Sequence, residues 1–200
     1  EFARAVRRCG PPGVHILAEQ RHLGDAVSGK MLDLVFAELG ARVPDFVAPR
    51  RGCGILISSP KAQVYYHADL PGQNLWQIEG QKRVYLYPPS APFLTPRNLE
   101  DIALYDMEFD VPYAAWYDQH AKVVDLNPGE FLSWPLNAPH RVENMDCLNV
   151  SMTVSYLTED IRRMQLVNLA NGILRHQFKL PVTGRRISGP TFWGKAAMQK

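Results

Sequence analysis

The chain has 200 residues, a length that fits one domain of ordinary size with a hydrophobic core of its own. Its hydrophobic content of 46% and charged content of 21% are close to globular averages, which argues against a disordered or fibrous protein. A formal net charge of +2, with Lys and Arg spread along the chain, is too weak a bias to indicate nucleic-acid binding.

The cysteines and the apolar segments bear on where the protein works. Cys9, Cys53 and Cys147 are odd in number and form no CxxC pair, which argues against a disulfide framework or a structural zinc site and favours a reducing, cytoplasmic compartment. No run approaches the ~18 apolar residues of a membrane span, and Glu1 to Gly13 lacks the apolar segment of a signal peptide. Because the chain begins with Glu rather than Met, we expect it to be trimmed or a fragment.

The N-terminal part, residues 1–60, carries few signals apart from one helix. Apolar residues recur with helical spacing over Asp25–Leu39, which predicts an amphipathic helix ending at Gly40. The Pro- and Gly-rich stretch Val43–Gly54 is typical of a loop. We therefore expect residues 1–60 to be helical or irregular.

Short β-rich segments separated by turn residues follow. The expected strands are Gly54–Ser58, Gln63–His67, Leu75–Glu79, Arg83–Tyr87, Lys122–Leu126, Phe131–Trp134 and Asn149–Tyr156. Gly80-Gln81-Lys82 predicts a hairpin between the third and fourth of them, and Asn127-Pro128-Gly129 predicts a turn between the fifth and sixth. The last strand alternates polar and apolar residues, and the acidic stretch Asn98–Asp118 is expected to be an irregular insert.

A second helix is predicted after the strands. Thr158 is a good N-cap, and a broad apolar side continues from there to about His176. We expect this helix to pack on the strands or on a second subunit, the latter giving a homodimer, through Leu166, Leu169 and Ile173. The basic segment Lys179–Lys200 is expected to be loosely held.

The order of these elements predicts a single, mainly β domain over residues 1–200, a β barrel with helical flanks. Its expected parts are the helical or irregular region 1–60, the barrel core 61–157, and the C-terminal helix with its basic tail, 158–200.

Three residues form the candidate catalytic and metal site. His67 and Asp69 are two apart on a predicted strand, so both side chains lie on one face, although an HxD pair alone also arises by chance. His140 follows a later turn and strand. Two imidazoles and one carboxylate are the ligands of a facial triad, which leaves positions on Fe(II) open for a co-substrate and O₂. A structural zinc site would have four ligands, usually with thiolates among them.

The motifs around these residues resemble a known family. Tyr66-His67-Ala68-Asp69 and the segment Asn74–Arg83 resemble the metal strand and following hairpin of the JmjC or cupin-like 2-oxoglutarate oxygenases. Pro128-Gly129-Glu130 with Pro135 and His140 resembles the segment that carries their distal histidine. The resemblance spans about half the chain, from Gln63 to Tyr156.

A bacterial cupin-like subgroup is the most similar, through Asn137–Asn144 and Asn149-Val150-Ser151. The resemblance implies a double-stranded β-helix, or jelly roll, in which His67, Asp69 and His140 hold Fe(II). It also implies that 2-oxoglutarate is the co-substrate of a dioxygenase that hydroxylates its substrate.

Three further residues match co-substrate positions of this family. Lys82 lies fifteen residues after His67, where the asparaginyl-hydroxylase-like branch has a Lys that pairs with the distal carboxylate of 2-oxoglutarate. A dianion in a dry barrel does need a buried cation. Ser155 stands where that branch has an Asn, and Gln73 where it has a polar residue. The alternatives are a turn lysine in water for Lys82 and ordinary exposed polar residues for the other two.

The chain departs from the family in front of its distal histidine. Ala138-Pro139 stand where aromatic residues are frequent, which alters the wall of the substrate cleft. Asp69, rather than Ala or Gly, favours oxygenation over halogenation. We therefore expect an Fe(II)- and 2-oxoglutarate-dependent hydroxylase of a protein side chain or a small molecule. The alternatives are a non-catalytic metal-binding cupin that acts as a ligand sensor or regulatory module, and a purely structural barrel.

Overall fold

The structure, a computed structural model, describes the backbone of residues 4–7, 16–21, 26–105 and 111–198, with side chains from residue 29 onward. The strands are β1 (Arg4–Arg7), β2 (Ile16–Arg21), β3 (Arg50–Ser58), β4 (Gln63–His67), β5 (Gly72–Glu79), β6 (Lys82–Leu86), β7 (Lys122–Leu126), β8 (Phe131–Ser133), β9 (His140–Asn144) and β10 (Asn149–Leu157). The helices are α1 (Ala26–Arg42), α2 (Pro96–Tyr105), a 3₁₀ helix (Ala115–His120), α3 (Glu159–His176) and α4 (Pro190–Ala197).

The described strands form two antiparallel sheets. The major sheet has the order β1-β2-β3-β10-β5-β8, and the minor sheet has the order β4-β9-β6-β7. Leu75 of the major sheet packs with Val84, Leu126 and Val142 of the minor sheet in one buried cluster, so the inner faces of the two sheets enclose a common interior. The predicted class, a mainly β double-stranded β-helix with flanking helices, is confirmed.

The chain passes from one sheet to the other at the turn around Gly80. A hairpin was expected here, but this prediction is wrong, because β5 pairs with β10 and β8 whereas β6 pairs with β7 and β9. Gly80 has a φ of 77°, and a Cβ at this position would lie 2.2 Å from the Leu148 carbonyl oxygen. Only glycine therefore fits this crossing without a shift of backbone. The turn at Asn127-Pro128-Gly129 likewise joins β7 of the minor sheet to β8 of the major sheet.

The major sheet separates the barrel interior from α1. The outward residues of β10, Met152 and Val154, pack with Leu32 and Phe36 of the helix. The inward residues alternate with them and are polar. The sequence predicted this alternation but not which face points inward. The helix ends at Arg42, two residues beyond the predicted end, and β3 begins at Arg50, inside the stretch expected to be loop. The sheet therefore extends to the N-terminal side of residue 61.

The outer face of the minor sheet is covered by the insert. Residues 96–105 form α2 and residues 115–120 form the 3₁₀ helix, so the expectation of an irregular segment is wrong for these parts. Tyr117 of the insert packs with Tyr66 and Tyr87 in a buried cluster, together with Phe93, which precedes the insert. The sequence did not predict this second core, because acidic residues are interspersed among the apolar ones in the insert.

The C-terminal helix begins and ends as predicted. The Thr158 hydroxyl accepts a hydrogen bond from the Ile161 N–H at 3.2 Å, and α3 ends at His176. Leu166, Leu169 and Ile173 are half-buried within the chain, so the homodimer through this helix stays a prediction.

The segment after α3 is more ordered than expected. Phe192 of α4 is only 1% exposed, so the prediction of a loosely held tail is wrong for this helix. Arg175 binds the buried Glu100 of α2 at 2.8 Å, and Arg185 donates to the side-chain oxygen of Asn168. The first contact joins α3 to α2, and the second joins the C-terminal segment to α3.

Two sequence expectations concern compartments. None of the helices that the structure describes is long and apolar enough to cross a membrane. Cys53 and Cys147 are free thiols, whereas Cys9 and most of the segment Glu1 to Gly13 lie outside the described residues.

Candidate metal centre

The two histidines meet where β4 ends and β9 begins. His67 and His140 are paired in register across these neighbouring strands, after an irregularity between Val64 and His67. Both side chains are buried, and their ring centroids are 4.1 Å apart. The sheet therefore brings together two imidazoles that are far apart in sequence.

Backbone carbonyls orient both imidazole rings. His67 Nδ1 lies 2.7 Å from the carbonyl oxygen of Tyr65, and His140 Nδ1 lies 3.0 Å from that of Ala138. A carbonyl oxygen can only accept, so each Nδ1 carries a proton, and in the neutral imidazole the lone pair is then on Nε2. This is the arrangement in which histidines bind metals through Nε2.

Asp69 completes the cluster. It follows β4 and is buried, with one carboxylate oxygen 3.4 Å from His140 Nε2. One ligand atom from each of His67, Asp69 and His140 lies within 4.8 Å of the others, the only such group among the described residues. A nitrogen lone pair and a carboxylate oxygen at this distance repel each other unless a cation or proton lies between them. The donor set therefore fits a divalent metal ion.

The protonation state of His140 suits a ligand. Burial lowers the pKa of His140 to about 4, and the hydrogen bond to Ala138 opposes this shift only in part. The imidazole is therefore neutral at pH 7, so a metal ion does not have to compete with a proton.

Two further residues support the ligands and were not identified from the sequence. The Asn137 amide donates to the backbone oxygen of Asp69 at 2.7 Å, and so joins the turn after β4 to the turn before His140. Asn137 has a φ of 60°, which Asn tolerates better than most residues. The Trp134 ring lies against the His140 ring, with centroids 4.5 Å apart.

Lys82 lies inside the barrel at the other end of the minor sheet. It shares the inward face of β6 with Val84, and the residue is only 3% exposed. Burial alone lowers the pKa of Lys82 to about 8. No carboxylate of the described residues forms an ion pair with its ammonium. A turn lysine in water, the alternative considered above, is therefore excluded.

A network of buried amides and hydroxyls occupies the same end of the interior. The Ser151 hydroxyl donates to Gln77 Oε1 at 2.8 Å, and the Gln77 amide donates to Asn149 Oδ1 at 2.7 Å. Asn144, the register partner of Lys82, donates to the Ser58 hydroxyl at 2.8 Å and so links the two sheets. The polar face of β10 was the sequence signal for this network.

Gln73 and Ser155 stand opposite each other on β5 and β10. Both are half-buried and alternate with residues of the outer face, so they belong to the inward face of the major sheet. A Cβ at position 52 would lie 3.2 Å from the Ser155 hydroxyl oxygen. A side chain at Gly52 would therefore fit only if Ser155 shifted.

Comparison with known proteins extends this picture. No curated protein matches the sequence significantly. The EutQ protein of Clostridium difficile has a similar structure, with a TM-score of 0.40 and 11% identity over 76% of this chain and 75% of that one. Hydroquinone 1,2-dioxygenase from Sphingomonas sp. TTNP3 gives a TM-score of 0.38 and 12% identity over 54% of this chain and 59% of that one.

DMSP lyase DddQ from Ruegeria pomeroyi DSS-3 gives a TM-score of 0.36 and 8% identity over 54% of this chain. This match spans 38% of the DddQ chain, and a match to another DMSP lyase structure spans 40% of that chain. Likeness at these identities concerns the fold alone.

The sequence itself matches a defined family. Residues 22–160, well over half of the chain, match the cupin-like domain. This range includes α1, both sheets from β3 onward and the three candidate ligands. The chain therefore belongs to the cupin-like domain family.

Proposed function

We propose that the protein is an Fe(II)- and 2-oxoglutarate-dependent oxygenase, a hydroxylase of a protein side chain or a small molecule. One observation carries the proposal: the buried ammonium of Lys82 has no anionic partner in the described part of the chain. It lies in the same interior as the His67, Asp69 and His140 cluster.

The charge of Lys82 supports the proposed co-substrate. A buried ammonium without a counter-charge is strongly disfavoured, so proteins seldom keep one unless an anion binds there. The register places Lys82 opposite Asn144 and Leu86 opposite His140, four positions along β6, which is roughly 13 Å of strand. The lysine side chain and a short dicarboxylate together can span this distance. 2-Oxoglutarate fits this arrangement, because it can place its distal carboxylate at Lys82 and its oxo-acid group at the metal.

The residues of the chain have defined tasks in this proposal. His67 and His140 hold the metal through Nε2, and Asp69 supplies the negative charge that balances it. When bound, Fe(II) with 2-oxoglutarate supplies the activation of O₂ and the oxidation of a C–H bond. Gln73 and Ser155 face the interior and are proposed to donate to the co-substrate. The apolar cluster around Val84 keeps water from the site.

The proposed setting follows from the same chemistry. Fe(II) and the free thiols of Cys53 and Cys147 persist in a reducing compartment, so we propose a cytoplasmic location. O₂ and 2-oxoglutarate are its proposed small-molecule partners.

An anaerobic titration with Fe(II) and 2-oxoglutarate tests the proposal. The wild type should give the weak visible charge-transfer band of the ternary complex. Lys82→Ala should bind 2-oxoglutarate about 30- to 4,000-fold more weakly, because removal of one partner of a buried charge pair costs about 2–5 kcal/mol. Iron binding should be unchanged. Lys82→Arg should restore little, because a planar fork replaces a compact ammonium.

Lys122→Ala is the matched control, because Lys122 is an exposed lysine on the neighbouring strand β7. It should bind both ligands like the wild type. If the wild type binds iron but not 2-oxoglutarate, or if Lys82→Ala binds 2-oxoglutarate normally, the oxygenase assignment is wrong. A metal-binding module that acts as a ligand sensor would then be the better description.

A further inference from the structure

A second concave surface lies on the outer face of the major sheet. This aromatic cleft has a volume of about 460 Å³ and is lined by Phe46, Asn74, Trp76, Phe131 and Tyr156 among others. Asn74 and Trp76 alternate along β5 with Leu75, which belongs to the barrel interior. The cleft and the barrel interior are therefore on opposite faces of β5.

The aromatic rings of the cleft form two packed pairs. Trp76 and Phe131 are stacked, with centroids 5.1 Å apart and ring planes at 23°. Phe46 and Tyr156 meet edge to face at 5.4 Å. Phe131 lies on the edge strand β8 of the major sheet and remains 59% exposed. The cleft thus presents ring faces to a space that no described side chain fills.

Asn74 adds one oriented polar group to this apolar lining. Its side-chain oxygen accepts a hydrogen bond from the Trp76 indole N–H at 2.6 Å. An indole N–H can only donate, so this bond fixes which end of the amide is oxygen. The Asn74 Nδ2 group has no acceptor among the described residues, and it is not one of their buried atoms that lack a partner. It belongs to a side chain that lines the cleft, so it is open to a molecule bound there.

We propose that the aromatic cleft binds a small, neutral, planar aromatic molecule that carries a hydrogen-bond acceptor. The volume is in the range of small-molecule sites, which combine an apolar and aromatic lining with few polar groups. Ring faces favour a planar aromatic ligand, and the Asn74 donor selects a carbonyl or similar oxygen. Glu38 at the rim is already paired with Arg42, so the cleft has no net charge to attract an ion.

The test uses prodan, a neutral naphthalene ketone whose fluorescence shifts to the blue in apolar sites. It should bind the wild type at one saturable site. Phe131→Ala should weaken binding about tenfold, because the stacked wall is lost. Phe178→Ala is the matched control, since Phe178 is 61% exposed, like Phe131, but follows α3 and does not line the cleft. It should bind prodan like the wild type.

A second probe tests the donor. Dimethylaminonaphthalene, which lacks the ketone, should bind at least about fivefold more weakly than prodan. Equal binding of the two probes contradicts the role of Asn74. Absence of saturable binding, or equal loss in Phe131→Ala and Phe178→Ala, overturns the site itself.

Sedimentation of the same proteins identifies a different occupant. If the wild type is a dimer that Phe131→Ala dissociates, and if prodan binds only the monomer, the cleft is an interface between two copies and the proposal is wrong. Because the cleft lies outside the barrel, either failure leaves iron and 2-oxoglutarate binding as they were.

Discussion

The two ends of the barrel interior have opposite electrostatic needs. At one end His67, Asp69 and His140 bring acceptor atoms together, with His140 Nε2 only 3.4 Å from an Asp69 oxygen. At the other end Lys82 places a cation among neutral amides and hydroxyls. A divalent cation fits the first end, and an anion fits the second end in the proposed function. The comparison shows that groups of opposite charge preference are placed at the two ends of one interior.

The substitution with the largest expected effect removes the negative charge of Asp69 at the metal end. Asp69→Ala should weaken Fe(II) binding by about 100-fold or more. Mutation of a residue that only supports a ligand typically lowers metal affinity by about 10- to 100-fold, and loss of a ligand itself should cost more. Anaerobic calorimetry measures it. Asp125→Ala, which removes an exposed carboxylate paired with Arg83, is the control and should bind Fe(II) normally. Tight iron binding by Asp69→Ala would show that the cluster is not a metal centre.

The next substitution removes the positive charge of Lys82 at the other end. Lys82→Met should raise the free energy of unfolding of the ligand-free protein at pH 7 by about 3 kcal/mol, since the pKa of Lys82 falls from 10.5 to about 8 on folding. Below pH 8 both states are protonated and the full cost is present. Between pH 8 and 10.5 only the folded state loses its proton, so wild-type stability should rise toward that of the mutant.

Urea denaturation of both proteins at pH 7, 9 and 11 measures this difference. A Lys82→Met protein less stable than the wild type at pH 7 would mean that the ammonium has a partner after all. The Lys82 end would then not differ from the metal end in the way described above.

A smaller effect is expected at the turn that holds Asp69. Asn137→Gly keeps a residue that tolerates a φ of 60° but removes the amide donor to the Asp69 carbonyl. Iron affinity should fall about tenfold. Lys179→Gly, at another position of positive φ, should leave it unchanged. Unchanged affinity in Asn137→Gly would mean that β4 alone positions the carboxylate.

The smallest effect concerns the neutral network at the Lys82 end. Ser151→Ala leaves Gln77 Oε1 without its donor and should lower the free energy of unfolding by about 1 kcal/mol. Iron affinity should not change. Ser133→Ala, an exposed serine on β8, is the control. An effect of Ser151→Ala on iron binding rather than on stability would show that the two ends are coupled.

These two ends also differ in how far the sequence predicts them. His67 and Asp69 are two residues apart at the end of β4, so strand periodicity alone predicts that both side chains lie on the same face. The strand bounds of β4 and the cap and end of α3 were likewise predicted, because each depends on local residues. The burial of Lys82 depends instead on which sheet β6 joins, which no local pattern contains. The assumed hairpin at Gly80 would have placed β5 and β6 side by side.

The elements that were missed have a similar cause. β3 was taken in part for loop because Gly52 and Gly54 interrupt its sequence, yet pairing with β10 along its whole length makes it a strand. The helix α2 is short and acidic, and it is stabilised by α3 and the Arg175 contact to Glu100. In both cases tertiary contacts outweigh weak local propensity.

The crossings between sheets have a consequence for how the protein folds. Nearly every strand pair joins distant parts of the chain. For example, β3 pairs along its whole length with β10, which follows it by about 90 residues. Such topology implies slow folding, because loop closure precedes most of the stabilising contacts. His67 and His140 lie on one of these long-range strand pairs, so we expect both candidate ligands to come together only late in folding. A metal ion that binds this cluster should then slow the unfolding of the barrel rather than speed its formation.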